Sequence, residues 1–225
     1  MLNALPPSDI DDTVKFGTNT DGTCSNRQNC GGTSERRGGV ALDKGSTCTS
    51  GPNVIKGGTT YATTAGHCWY GQTSGAVTSG SQSFGSLDSQ NWLFPSTNCG
   101  CRLIPTSALT GNNYYRTDSD PYDHITGKDS YVQVGDFVLL SGQYTQDVGD
   151  VVYVEYSYTG ETCNCLVDQA VLADYNETGG DSGGIVTSSN RSSARGLHSG
   201  NSGGDGRFFP VWTIESTMGV SIATS

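Results

Sequence analysis

Val151-Val152-Tyr153-Val154-Glu155-Tyr156-Ser157-Tyr158 alternates along its length. Val152, Val154, Tyr156 and Tyr158 fall on one side, and Glu155 and Ser157 on the other, which is the period-2 pattern of a strand with one face buried. The same texture extends outward. Val54 to Thr64 reads as a hairpin turning at Lys56-Gly57-Gly58. Trp92-Leu93-Phe94 and Val134-Gly135-Asp136-Phe137-Val138-Leu139-Leu140 read as further strands, and Phe208 to Ile214 as a strand running into a short terminal helix. Glycine supplies 32 of 225 residues and is spread along the chain with Ser and Thr, as expected of many short strands joined by tight turns. No amphipathic helix separates the strands, so a parallel α/β sheet is excluded and the class is all-β. The length suits one all-β domain or two small packed barrels.

The formal net charge is −10. A protein that grips phosphates needs the opposite sign, so neither nucleic acid nor an anionic membrane is an expected partner. No apolar run is long enough to span a bilayer. The opening Met1-Leu2-Asn3-Ala4-Leu5-Pro6-Pro7 lacks a signal peptide's basic end and apolar core, so a signal has been removed or the sequence starts beyond it. The eight cysteines are Cys24, Cys30, Cys48, Cys68, Cys99, Cys101, Cys163 and Cys165. Their even number and the lack of C-x-x-C pairs point to disulfides made in an oxidising compartment, hence a secreted protein. Cys24–Cys30 reads as a local loop. The two C-x-C segments cross-link each other, close internally, or form a four-sulfur zinc site; the disulfide reading is preferred, and no metal or other cofactor is expected.

Two segments carry chemistry: Thr63-Thr64-Ala65-Gly66-His67-Cys68 and Gly179-Gly180-Asp181-Ser182-Gly183-Gly184. Serine is a weak nucleophile until a base takes its proton, and histidine, largely neutral at pH 7, is the natural base. Glycines beside such a serine let the backbone turn sharply and aim two N–H groups at a developing oxyanion, each worth about 3–4 kcal/mol. Only three histidines occur, and one stands in T-A-G-H-C upstream of G-D-S-G-G.

These motifs resemble the histidine and serine motifs of the chymotrypsin-like serine peptidases. The bacterial, streptogrisin-like branch is similar over roughly residues 36–225. Gly38-Gly39-Val40-Ala41-Leu42 resembles that branch's mature start. Ser141-Gly142-Gln143-Tyr144-Thr145 resembles its S-G-x-T-T-G segment, with Gln146 where glycine is usual. Gly196-Leu197-His198-Ser199-Gly200 and Phe208-Phe209-Pro210-Val211 resemble its substrate strand and the strand after it. The resemblance implies two six-stranded antiparallel β-barrels with the active site between them and a short C-terminal helix. Residues 1–37 are then an arm or pro-segment remnant, and 38–225 the peptidase domain, with barrels at about 38–125 and 126–225. It also implies a Cys48–Cys68 disulfide beside catalytic His67, nucleophilic Ser182, an oxyanion hole from the N–H groups of Gly180 and Ser182, and a structural Asp181 paired with a nearby arginine. The expected activity is secreted endopeptidase hydrolysis of protein or peptide by a monomer. A protease-like module that has lost turnover and only binds is the alternative.

The triad's carboxylate is expected at the start of a strand roughly 20–30 residues after the histidine, where it would hold the imidazole's tautomer. Asp88, in Leu87-Asp88-Ser89-Gln90-Asn91-Trp92, is the assignment. Asn91 competes for the place, as does an unrelated aspartate such as Asp123. His198 lies 16 residues after Ser182. In glutamate-specific relatives a histidine at the matching place touches the substrate carboxylate, so Glu or Asp before the cut is expected, with Thr178, Ser199, Gly200 and Asn201 completing the pocket. Glu177 opposes this, since an inward carboxylate would favour Lys or Arg. The acidic Thr117–Asp123 stretch reads as a solvated loop. The cysteine reading predicts that thiol titration of the denatured protein finds no free thiol; two or more would contradict it.

Overall fold

The computed structural model describes residues 24–31, 36–89, 92–93, 100–106, 113–114, 123–160 and 165–224. A short hairpin comes first, with β1 (Cys24–Asn26) paired to β2 (Asn29–Cys30) and Cys24 directly opposite Cys30. Eight strands follow: β3 (Ala41–Asp43), β4 (Thr47–Thr49), β5 (Val54–Lys56), β6 (Thr59–Ala65), β7 (Gly75–Ser79), β8 (Gln82–Leu87), β9 (Trp92–Leu93) and β10 (Cys101–Pro105). They form a four-stranded sheet, β4-β3-β7-β8, and the sheet β5-β6-β10-β9. Val40, Leu42, Val54, Val77, Phe84, Leu103 and Ile104 are buried between them. The β5–β6 hairpin turns at Gly57-Gly58, both at positive φ (56° and 79°), which is the two-residue turn that matches strand twist.

β11 (Asn113–Tyr114) and β12 (Asp123–His124) pair in a small ladder. The second barrel comprises β14 (Phe137–Ser141), β15 (Gln146–Gly160), β16 (Cys165–Ala173), β17 (Ile185–Ser188), β18 (Ser193–Ser202) and β19 (Asp205–Pro210). Its order β18-β17-β14-β15-β16-β19 closes through β18–β19 pairing, giving six antiparallel strands, while β13 (Gly127–Lys128) adds in parallel beside β18. Val138, Leu140, Val151, Val171, Tyr175, Val186 and Phe208 fill it. Helix α1 (Val211–Met218) ends at Gly219, left-handed at φ 63°, whose N–H caps the Glu215 carbonyl. β20 (Ser221–Ile222) then returns to the first barrel and pairs with β5. This is the chymotrypsin-like two-barrel fold, with one short C-terminal helix.

The alternating stretch is the middle of β15, but its register shifts between Val151 and Tyr153 and again between Tyr153 and Tyr156. Such bulges flip the inward face. Val151 is therefore the buried residue and Val152 is exposed, while Tyr156 and Tyr158 keep their common face against the core. Leu140 lies where expected, but Val134 and Gly135 form a turn before β14 rather than its first residues.

Before residue 38, the hairpin at 24–31 is tied into the barrels. Arg27, fully buried, donates to the carbonyls of Gly39 and Gly142, the latter across the barrel interface. Gln28 Nε2 donates to the Gln143 carbonyl at 3.1 Å, and the Ala41 N–H to the Arg27 carbonyl at 2.7 Å. A buried guanidinium is tolerated only where carbonyls replace its water. Arg27→Ala is therefore expected to destabilise the protein by about 2–4 kcal/mol in urea unfolding. A change below about 0.5 kcal/mol, the range of an ordinary surface substitution, would show that the hairpin is not coupled to the barrels.

Candidate active site

The site is built where the two barrels touch. β6 runs straight into His67, and the Cys68 and Tyr70 N–H groups donate back to the Ala65 and His67 carbonyls to close the following turn. Arg102 clamps that turn from β10. Its guanidinium, fully buried, donates to the carbonyls of Cys68 (3.0 Å), Trp69 (3.2 Å) and Gln72, and burial lowers its pKa to about 10. Cys68 is disulfide-bonded to Cys48 in β4, closing a separation of 20 residues. A loop of that length restricts the unfolded chain by about 3 kcal/mol. Cys30 and Cys101 are also disulfide-bonded; that takes Cys101 out of any thiolate zinc site. Cys99 and Cys163 lie outside the described residues, and so does Asn91.

β4 joins the histidine to the serine. Thr49 donates its N–H to the Ser182 carbonyl and its Oγ1 to the Gly180 carbonyl, both at 2.8 Å. Thr64 Oγ1 in turn donates to the Thr49 carbonyl at 2.8 Å. Gly183 sits at φ 96°, where a Cβ would run into the Thr49 carbonyl and Thr64 Oγ1, so only glycine allows this approach. Its N–H donates to the His198 carbonyl, pinning the serine loop to β18. The outcome is His67 Nε2 at 2.9 Å from Ser182 Oγ, inside the reach a general base needs.

The Gly180 carbonyl is turned inward by Thr49 Oγ1 and by Gln143 Nε2 (2.7 Å), and its φ of 108° requires glycine. Asp181 is fully buried and satisfied by backbone alone. Oδ1 accepts from the Tyr144 and Thr145 N–H groups (2.8 and 3.2 Å) and Oδ2 from Thr178 (2.9 Å). Arg27, which the sequence does not single out, acts one step away by holding the Gly142 carbonyl. Gln146 also reaches that carbonyl through Nε2 at 3.0 Å.

Asp88 follows β8 directly and is half-buried. Among the described residues no carboxylate forms an ion pair with His67, whose ring contact is Ser182. On the side of β6 away from β5 lies β10, with β9 beyond it, and Gly66 donates its N–H to the carbonyl of Gly100. Asp123 sits in β12, where Tyr114 Oη donates to its Oδ2 at 3.2 Å. Burial pulls the His67 pKa down from 6.5 to about 4, helped by the charges of Arg207 and His198.

His198 is completely buried. Its Nδ1 lies 3.0 Å from Tyr175 Oη, and its Nε2 lies 3.2 Å from the Gly200 N–H and 3.6 Å from Glu177 Oε2. Asn201 Nδ2 donates to Glu177 Oε1. The contact with His198 is the main reason the Glu177 carboxyl lies below its ordinary pKa, with Asn201 and the Arg207 charge adding to it against partial burial. Thr178 is exposed and bonds Thr145 Oγ1. A cleft of about 550 Å³ opens beside His67, walled by Ser199, Asn201, Tyr156, Tyr158 and Arg207. Sequence reading missed Arg207, as it missed Tyr156 and Tyr158 of the same cleft; Arg207 stands directly before the Phe208-Phe209-Pro210-Val211 run that the family pattern picks out, with no motif of its own to mark it.

The chain is similar to known proteins in sequence and in fold. Streptogrisin-D of Streptomyces griseus is 33% identical over 174 residues, 74% of this chain and 41% of that protein. Serine protease 1 of Streptomyces fradiae is 31% identical over 199 residues, 84% of this chain and 52% of that protein. The chain thus spans about half the length of these relatives or less. The structure of Thermobifida fusca protease A superposes with a TM-score of 0.70 at 25% identity, covering 85% of this chain and all of that one. A glutamic acid specific serine protease, described as using a novel histidine triad in substrate binding, gives a TM-score of 0.70 at 28% identity over 83% of this chain and all of its own. No protein-family model matches the chain. The fold is that of the chymotrypsin-like serine peptidases, and in sequence the chain is similar to the streptogrisin-like branch of that class.

The lowered pKa of His67 predicts that hydrolysis of a neutral substrate holds as pH falls through 6.5 and is lost near pH 4, where the base protonates. An acid-side midpoint at 6.5–7 that Asp88→Asn shifts downward would instead show Asp88 paired with His67 in solution.

Proposed function

We propose that this chain is a secreted endopeptidase that cuts protein or peptide substrates through an acyl-enzyme on Ser182. His67 takes the Ser182 proton as the oxygen attacks the scissile carbonyl, then returns it to the leaving amine. The N–H groups of Gly180 and Ser182 receive the oxyanion; among the described residues neither donates elsewhere. The observation that carries the reading is the 2.9 Å approach of His67 Nε2 to Ser182 Oγ across the barrel interface. Asp88 is the assigned orienting carboxylate, and its pairing with His67 is what the Asp88→Asn pH profile tests.

The preference proposed is for an acidic residue on the acyl side of the cut. The glutamic acid specific neighbour supports it in overall form. Its histidine triad does not carry over, because this chain has three histidines, of which His67 is the base and His124 lies in β12. His198 then supports the pocket floor through Tyr175 and Glu177.

A second reading, a protease-like binding module without turnover, is favoured by one observation: among the described residues no carboxylate pairs with His67. Loss of the orienting group costs about 10⁴ in turnover. The two readings separate by mass spectrometry of a protein library incubated with the protein. The peptidase reading predicts new termini that vanish with Ser182→Ala while circular dichroism is unchanged. Cleavage that persists in Ser182→Ala, or no cleavage by either protein, would refute it.

A further inference from the structure

Among the described residues, the guanidinium of Arg207 lines the cleft beside His67 and forms no ion pair. Arg207 leaves β19 and lies flat over the Tyr158 ring, 3.6 Å from its centroid. Nη1 donates to the Asn201 carbonyl at 3.1 Å and Nη2 to the Ser199 carbonyl at 3.0 Å. Those bonds use two of its five N–H groups. Nε is buried and has no hydrogen-bond partner. Gly200, at φ 108°, allows the backbone this close, since a Cβ there would stand 3.3 Å from Nη2. Tyr156 stacks beside Tyr158 and is fixed by Ser202 Oγ at 2.8 Å. The guanidinium is therefore held by stacking on one face and by two carbonyls on one edge, with the cleft in front of it.

We propose that Arg207 is the group that receives the substrate's acidic side chain, on the acyl side of the scissile bond. This deepens the peptidase reading above and rests on it. A stacked, pre-oriented guanidinium is the side chain best matched to a carboxylate, because it offers parallel N–H donors and little freedom to lose. The burial of His198 assigns it the lesser part of positioning Tyr175 and Glu177. Glu177 is the opposing charge in this region, and it is occupied by Asn201 and His198.

The charged and titratable groups around Arg207 are His67 across the cleft, Tyr158 beneath it, and Glu177, Tyr175 and His198 behind it. The Arg207 charge is one of the causes that lower the His67 pKa. A bound carboxylate offsets that charge, so it raises the pKa of His67 while it stays bound.

The test uses Ser182→Ala protein, which needs no turnover, and uncleaved peptide amides that carry Glu or Gln at each acyl-side position in turn, titrated by calorimetry. One position should bind Glu on the order of tenfold more tightly than Gln, and Arg207→Gln should bring that ratio close to one without weakening the Gln peptide. Equal binding of Glu and Gln at every position, or a Glu advantage that survives Arg207→Gln, would overturn the assignment. If Arg207→Gln fails to fold, the unmutated protein decides: the acid-side midpoint of turnover should lie higher for the Glu substrate than for its Gln isostere, and coincident midpoints reject the proposal. Peptide binding with the expected ratio but no cleavage of any substrate would leave the subsite standing and remove the peptidase reading.

Discussion

Everything at the candidate site depends on the approach of Gly183 to the Thr49 carbonyl and Thr64 Oγ1. His67 belongs to the first barrel and Ser182 to the second. A single methyl at residue 183 would force the two apart, and a displacement of about an ångström at a reacting pair costs on the order of 10² in rate. Two hydrogen bonds from Thr49 cross the seam, Thr64 Oγ1 holds Thr49 in place, and the Cys48–Cys68 disulfide keeps β4 against the histidine turn. The N-terminal hairpin and β20 cross the same seam at other points, through Arg27 and through pairing with β5.

Buried cations do much of the remaining positioning in an otherwise acidic protein. Arg27 supports the Gly142 carbonyl beside the Asp181 loop, and Arg102 clamps the turn after His67. Arg36 donates to the Phe84 carbonyl and lies over that ring, 5.2 Å from its centroid, and burial lowers its pKa. Each donates to carbonyl oxygens of the chain. Their burial therefore fixes loops, which have few apolar contacts of their own, at the cost of desolvating a guanidinium. Arg207 uses the same carbonyl-and-ring arrangement but faces the cleft.

The second barrel and the approach of the histidine motif to the serine motif were legible because their signals are local. Alternation reports a strand, a glycine pair reports a hairpin, and T-A-G-H-C with G-D-S-G-G reports a histidine and a serine of one chemistry. What was not legible depends on register between distant segments. The bulges in β15 moved Val151 inward in place of Val152, and no composition rule announces them. Strand order was hidden in the same way: β10, which opens on Cys101-Arg102, pairs with β6, and Trp92-Leu93 pairs with β10 instead. Arg27 read as part of a polar arm because a guanidinium buried against carbonyls has the same sequence signature as an exposed one.

The central claim is that Ser182 is an assembled nucleophile activated by His67. Labelling with a fluorophosphonate, followed by tandem mass spectrometry, measures this without assuming a substrate. The account predicts one adduct per chain, mapped to Ser182 and lost in His67→Ala although that variant keeps its circular dichroism spectrum. Folded protein that takes up no label, or that is labelled at another residue, would contradict it.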